Sequence, residues 1–197
     1  MLENLSSPTP GEVREQMWIK LTKERALAYP YPPFGHHPNF KGATKAATLL
    51  LEDLLRQGDL KPGDTVLSYP DYVLKGFRKG CLEAGINIVV PAKYGKAFRF
   101  LKTGVVKASK ASTIAGAEKE GEMIKELPDV NLCAVACVAA SHEGDALTKG
   151  FGFSLPDEVL TKPIVGLLHP LQILASLPEP EYELSVWATP KIVSRSR

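Results

Sequence analysis

The chain has 197 residues, 44% hydrophobic, 23% charged and 8% aromatic, which is enough to bury a core without disulfide staples. Its 24 basic and 22 acidic residues leave a net charge of +2, too balanced for a field that gathers nucleic acid. No run approaches the roughly 20 apolar residues of a membrane helix, and an N-terminus carrying Glu3 without a basic-then-apolar stretch does not read as a secretory signal, so a cytoplasmic location is expected.

Residues 1–9 read as a flexible end. Pro10 suits the first turn of a helix over residues 10–28, where Val13, Met17, Leu21 and Ala28 recur at helical spacing. Tyr29-Pro30-Tyr31-Pro32-Pro33 stops that helix, and the loop runs on to Gly42. A second helix, residues 43–57, places Ala46, Ala47, Leu50, Leu51 and Leu54 on one side and stops at Gly58. A strand over 65–69, a helix over 73–84 and a short apolar strand over 86–90 follow. Residues 98–101 and 104–107 are expected to pair as extended segments, and 118–127 to form a charged surface helix. The most apolar run, 132–140, reads as one central strand, with further strands over 163–168 and 184–188.

This alternation predicts one α/β domain over 1–197 with a mostly parallel sheet and helices on both faces. Ligands then bind beyond the carboxyl ends of the strands, where Pro70-Asp71, Pro91, Ser141-His142-Glu143-Gly144, His169-Pro170 and Thr189-Pro190 stand. Cys81, Cys133 and Cys137 are an odd set without framework spacing, which fits a reducing compartment and buried packing.

Two segments point to anion chemistry. In Pro38-Asn39-Phe40-Lys41-Gly42-Ala43, a lysine and a glycine directly precede a helix whose first N–H groups lack partners; the competing reading is a solvated lysine at a helix start. In Lys149-Gly150-Phe151-Gly152-Phe153, two glycines admit a ligand to the backbone and Lys149 supplies charge, although neither a P-loop nor a complete dinucleotide fingerprint is present. Arg78 has the geometry to grip a phosphate or carboxylate, and a solvated helix face is its alternative. His169 stands at a strand end as an anion donor or a structural histidine. His36-His37 suggests a metal, but no third ligand has matching spacing.

Taken in order, Val13 to Trp18, Pro38 to Ala43, Tyr69-Pro70-Asp71 with Arg78, Leu82 to Gly85, Lys149 to Phe153, His169 with Gln172, and Thr189-Pro190 resemble the 5-formyltetrahydrofolate cyclo-ligase (methenyltetrahydrofolate synthetase) family. The likeness is nearest to its branch of methenyltetrahydrofolate synthetase domain-containing proteins. It implies a Rossmann-like three-layer αβα fold similar to sugar-phosphate isomerases and CoA transferases. It also implies MgATP-dependent conversion of 5-formyltetrahydrofolate to 5,10-methenyltetrahydrofolate, in a monomer or small homo-oligomer with folate and nucleotide ligands. By resemblance, Lys149 and Arg14 are catalytic, and Lys41, Gly42, Arg78, Gly150 and Gly152 hold phosphates. Tyr69, Phe151, Phe153 and His169 contact substrate, and Asp157 serves Mg2+. The pattern departs at four places: Pro10 stands where the family has a lysine, Ala146 where it has an arginine, Thr148 where it has a glycine and Leu155 where it has an aspartate. A non-catalytic relative that binds a nucleotide or other phosphate-bearing ligand is the alternative.

Overall fold

Thr9 opens the first helix, α1 (Pro10–Lys23), with a capping box: its hydroxyl accepts from the Glu12 N–H and the Glu12 carboxylate accepts from the Thr9 N–H. The computed structural model describes residues 7–93 and 96–196, so most of the expected flexible end, residues 1–6, lies outside the described part. α1 ends five residues earlier than its periodicity predicts, because Arg25 turns the chain at φ 52° and Leu27 then bridges to Phe40. The next helices are α2 (Ala43–Gln57), α3 (Lys75–Glu83, entered through a 3-10 turn at Tyr72–Leu74), α4 (Ala108–Ala111) and α5 (Ile114–Glu120).

The strands in chain order are β1 (Thr65–Ser68), β2 (Asn87–Pro91), β3 (Phe98–Leu101), β4 (Glu122–Ile124), β5 (Leu132–Val135), β6 (Ala139–Ser141), β7 (Asp145–Leu147), β8 (Ile164–Leu167), β9 (Ile173–Leu174), β10 (Tyr182–Glu183), β11 (Val186–Ala188) and β12 (Val193–Arg195). Eight form the main sheet in the order β12-β11-β8-β5-β1-β2-β3-β4. Its middle five are parallel; β12, β3 and β4 add antiparallel edges. The protein is thus an α/β fold around a mostly parallel sheet.

The parallel strands bury both faces, as their unbroken apolar runs require. Val66, Ile88, Leu132, Ala134 and Val165 face α2 and α3. Leu67, Val89, Cys133, Val135 and Trp187 face the other way and pack with Ala140, Ala146, Val159 and Leu184. That second layer is built largely from a four-stranded sheet, β10-β7-β6-β9. α1 lies over this small sheet, with Val13, Met17 and Leu21 against Val138, Ala139 and Leu147.

Three expectations change. The run 132–140 is two strands: β5 at the centre of the main sheet and β6 in the small one. Buried Gln172 fastens the crossover between them, its amide donating to the Cys137 and Val138 carbonyls at 3.0 Å each. The charged helix lies at 114–120, because Thr113 caps it by accepting from the Gly116 N–H. Gly121 then turns the chain into β4, at a place where a Cβ would stand 2.7 Å from the Ala117 carbonyl. The segment 104–107 is a turn, and β4 takes its expected place beside β3. All three cysteines are free and buried, and burial pushes the Cys133 and Cys137 thiols up to about 12, so they pack as apolar groups.

Asp53 on α2 ties down the last strand. It accepts from Arg195 Nη2 at 2.7 Å and is paired with Arg56. Burial opposes its ionisation, but hydrogen bonds and charge from Arg195 and Arg56 prevail and hold its pKa below the usual 3.8. A depressed carboxylate pKa stabilises the fold above the unfolded value and ceases to do so as pH falls through the folded one. Asp53→Asn is therefore expected to lower the melting temperature at pH 7 and to make little difference near pH 2. An equal loss at both pH values would refute this account.

Candidate functional site

The loops after β1 and β2 at the carboxyl edge of the sheet enclose a cleft of about 760 Å³ with the loop after β7, His37 and one side of α5. Tyr69 and Asp71 come from the loop after β1, Lys96 from the β2–β3 connection, Glu118 from α5, and Lys149 and Phe153 from the glycine loop. A topological edge of this kind is where a parallel sheet leaves backbone and side chains free to meet a ligand.

Arg78 braces two walls. It reaches from α3 with only 1% of its surface exposed. Nη1 donates to the Tyr69 and Asp71 carbonyls at 2.6 and 3.1 Å, and Nε to the Ser112 carbonyl at 2.9 Å. The loop after β1 and the α4–α5 turn thus share one guanidinium. Burial lowers its pKa to about 10 while Asp71 opposes the shift, so it stays charged at neutral pH. Its Nη2 is buried without a hydrogen-bond partner among the described residues.

His37 ties the glycine loop to the same wall. Nδ1 lies 3.0 Å from Asp71 Oδ1, and Nε2 accepts the Lys149 N–H at 3.0 Å. The ring meets Phe153 edge-on at 5.2 Å, and Phe153 leans on Tyr69 at 4.7 Å. The Tyr69 hydroxyl donates to the Ser154 carbonyl at 2.5 Å, and burial raises its pKa so that it remains a donor. Glu118 accepts from Arg99 Nε at 3.0 Å, which fixes the α5 side.

Of the residues expected from sequence, Tyr69, Lys149, Gly152 and Phe153 meet in this cleft. Arg14 and Gly150 stand behind it. Arg14 Nε donates to the Thr148 carbonyl at 2.8 Å and Nη2 pairs with Glu181 at 3.0 Å. Gly150, at φ 85°, rests so close to that guanidinium that a Cβ would lie 3.2 Å from its Cζ. Lys41 and Gly42 line a second cleft, about 590 Å³, with Lys75, Lys79, Tyr29 and Tyr72. His37 and Asp71 line the first cleft, and their chain neighbours Asn39, Phe40, Lys41 and Tyr72 the second.

The others lie elsewhere. Arg78 is a buried brace rather than a group open to phosphate, because backbone carbonyls occupy it. Phe151 points into solvent, fully exposed. His169 caps the turn Pro170–Gln172, with Nδ1 accepting the Leu171 N–H at 3.2 Å; burial lowers its pKa, and its ring packs on Phe40. Asp157 is exposed at the start of the turn Asp157–Val159 and does not line the cleft, whose carboxylates are Asp71 and Glu118. The sequence shows His37 only as half of a histidine pair and Asp71 only as a residue after a strand; nothing local joins them.

No family model matches the chain. By sequence, the methenyltetrahydrofolate synthase domain-containing protein of Bos taurus is 27% identical over 197 residues, covering 90% of this chain and 50% of that protein. Its namesake from Danio rerio is 27% identical over 156 residues, covering 74% and 39%. The chain thus spans half or less of the curated relatives it matches. Among solved structures, Aquifex aeolicus 5,10-methenyltetrahydrofolate synthetase superposes with a TM-score of 0.56 over 95% of this chain and 93% of that one, at 18% identity, which shows a shared fold. Among the described residues no helix is long and apolar enough to cross a membrane.

Proposed function

We propose, from the likeness to methenyltetrahydrofolate synthase domain-containing proteins and the fold shared with a methenyltetrahydrofolate synthetase, that this chain is a cyclo-ligase acting in the cleft beyond β1 and β2. The reaction is ATP-dependent conversion of 5-formyltetrahydrofolate to 5,10-methenyltetrahydrofolate. The observation that carries this reading is the meeting of Lys149, Gly152, Phe153 and Tyr69 in one cleft, on loops separated by the whole middle of the chain.

Each group has a task in that chemistry. Phe153 and Tyr69 form an aromatic wall for a planar pterin. The formyl oxygen attacks the γ-phosphorus and ADP leaves; N10 then adds to the activated carbon, closing the ring and giving up its proton, and departure of phosphate leaves the amidinium of the methenyl group. Negative charge shifts across the phosphoryl oxygens throughout, and the Lys149 ammonium offsets it where a low-dielectric cleft makes it effective. Gly152, at φ 76° with open space where a Cβ would project, admits the phosphates to the backbone. Lys96 stands at the same rim for a second anionic group, such as the glutamate tail.

A resident magnesium ion does not fit the described residues. They contain no group of three or more His, Cys, Asp or Glu side chains placed to hold a metal, and His37 and Arg99 already engage the cleft's two carboxylates. In this reading magnesium arrives on the nucleotide, whose phosphates and waters supply its oxygens.

Arg14 favours a second reading, a ligand-binding relative without turnover, because its guanidinium is spent on Thr148 and Glu181. One assay separates the two. Folded protein with 5-formyltetrahydrofolate and MgATP is expected to generate the near-ultraviolet absorbance of methenyltetrahydrofolate only when ATP is present. Calorimetric binding without product would select the second reading; neither product nor binding would refute both.

A further inference from the structure

We propose that His37 is the positioning residue of the cleft, holding Asp71 and the glycine loop in register through a single imidazole tautomer. Its consequence for ligands rests on the functional reading above; the arrangement itself is testable without any ligand.

The His37 side chain is 1% exposed, and each ring nitrogen has one defined neighbour. A backbone N–H only donates, so Nε2, which receives the Lys149 N–H, is the unprotonated nitrogen. An ionised carboxylate only accepts, so Nδ1 carries the proton and donates it to Asp71. One neutral tautomer satisfies both contacts; the other places donor against donor at Lys149 and acceptor against acceptor at Asp71. The two partners are 34 and 112 residues away in sequence, so this ring joins loops that the backbone does not connect. The same ring supports Phe153, which supports Tyr69. The glycine loop, Asp71 and the aromatic wall of the cleft therefore meet on one buried ring, while Arg78 braces the backbone of the Tyr69–Asp71 wall. His37 lines the cleft, but both of its ring nitrogens are occupied, so it offers a ligand no donor or acceptor.

Two substitutions divide its tasks. In His37→Gln the carboxamide reaches the position of Nε2 and its oxygen can accept the Lys149 N–H. In His37→Asn the shorter carboxamide sits at Nδ1 and can serve Asp71 only. A merely space-filling role does not distinguish them. Amide exchange is measured in the ligand-free variants, with the amides of the central strand β5 as the check on global folding. Exchange at Lys149 is expected to quicken about tenfold in His37→Asn, the scale of one lost hydrogen bond, and to stay near wild type in His37→Gln. The ring nitrogens of ¹⁵N-histidine-labelled wild type are expected to report the Nδ1–H tautomer, a reading that does not depend on any variant folding. An Nε2–H tautomer, or equal exchange in the two variants, would overturn the proposal. With ADP as probe, affinity is expected to fall about tenfold in His37→Asn relative to His37→Gln. If wild type binds neither ADP nor 5-formyltetrahydrofolate, the functional reading fails, while the exchange and tautomer results still decide the role of His37.

Discussion

Arg78→Met is expected to destabilise the protein by about 3–5 kcal/mol, the scale of losing several hydrogen bonds from one charged donor. The side chain is almost fully buried and donates to three backbone carbonyls, those of Tyr69, Asp71 and Ser112. Methionine fills much of the space but donates nothing, so the buried Ser112 carbonyl loses its partner and the part-buried Tyr69 and Asp71 carbonyls each lose a charged donor. In a chain of this size 1 kcal/mol corresponds to roughly 2–4 °C, so the melting temperature is expected to fall by about 10 °C. Arg78→Lys should recover only part of the loss, since one ammonium does not span from the loop after β1 to the α4–α5 turn as the planar guanidinium does. The same change releases the walls that carry Tyr69 and Asp71, so ligand affinity should weaken along with stability. Thermal melts of the two variants decide the matter: a methionine variant as stable as wild type would show that the buried charge costs as much as its hydrogen bonds return.

Lys149→Ala is expected to act on the reaction and spare the fold. The substitution deletes the ammonium that faces the cleft and retains the backbone N–H that His37 accepts. The glycine loop therefore keeps its tether, and the melting temperature should stay near wild type. If Lys149 stabilises developing charge on the transferred phosphoryl group, turnover should fall by about 100-fold or more, the scale of removing one preorganised donor from an active site. Retained turnover in a well-folded Lys149→Ala protein would remove this residue from the mechanism and shift attention to Lys96. A loss confined to KM would assign Lys149 to ground-state binding.

These two residues also mark how far local sequence carried the reading. Both are cations near a glycine or at a helix start, and both looked suited to phosphate. Lys149 meets the cleft because it follows a strand of the small sheet that ends at the ligand edge. Arg78 is buried because α3 turns that face toward the main sheet, with Phe77, Cys81 and Leu82 beside it. Lys41 and Lys149 carry similar local signals, yet they line different clefts.

Sequence by itself determined the helix α2, from apolar residues at helical spacing closed by Gly58, and the positions of β1, β2, β5, β8 and β11, from short apolar runs. It also pointed to the carboxyl edge of those strands, where a cleft opens, and singled out the Lys149–Phe153 loop, part of which lines that cleft. These features depend on each residue's burial and backbone preference, which leave a periodic trace. Only the tertiary structure decided that the run 132–140 divides between two sheets, that residues 122–124 form an edge strand, and that Arg14 supports the glycine loop from behind. It alone brought His37 to Asp71 and Lys149. A polar partner 34, 112 or 134 residues away has no local signature, because a hydrogen bond constrains two atoms in space and imposes no pattern on the chain between them.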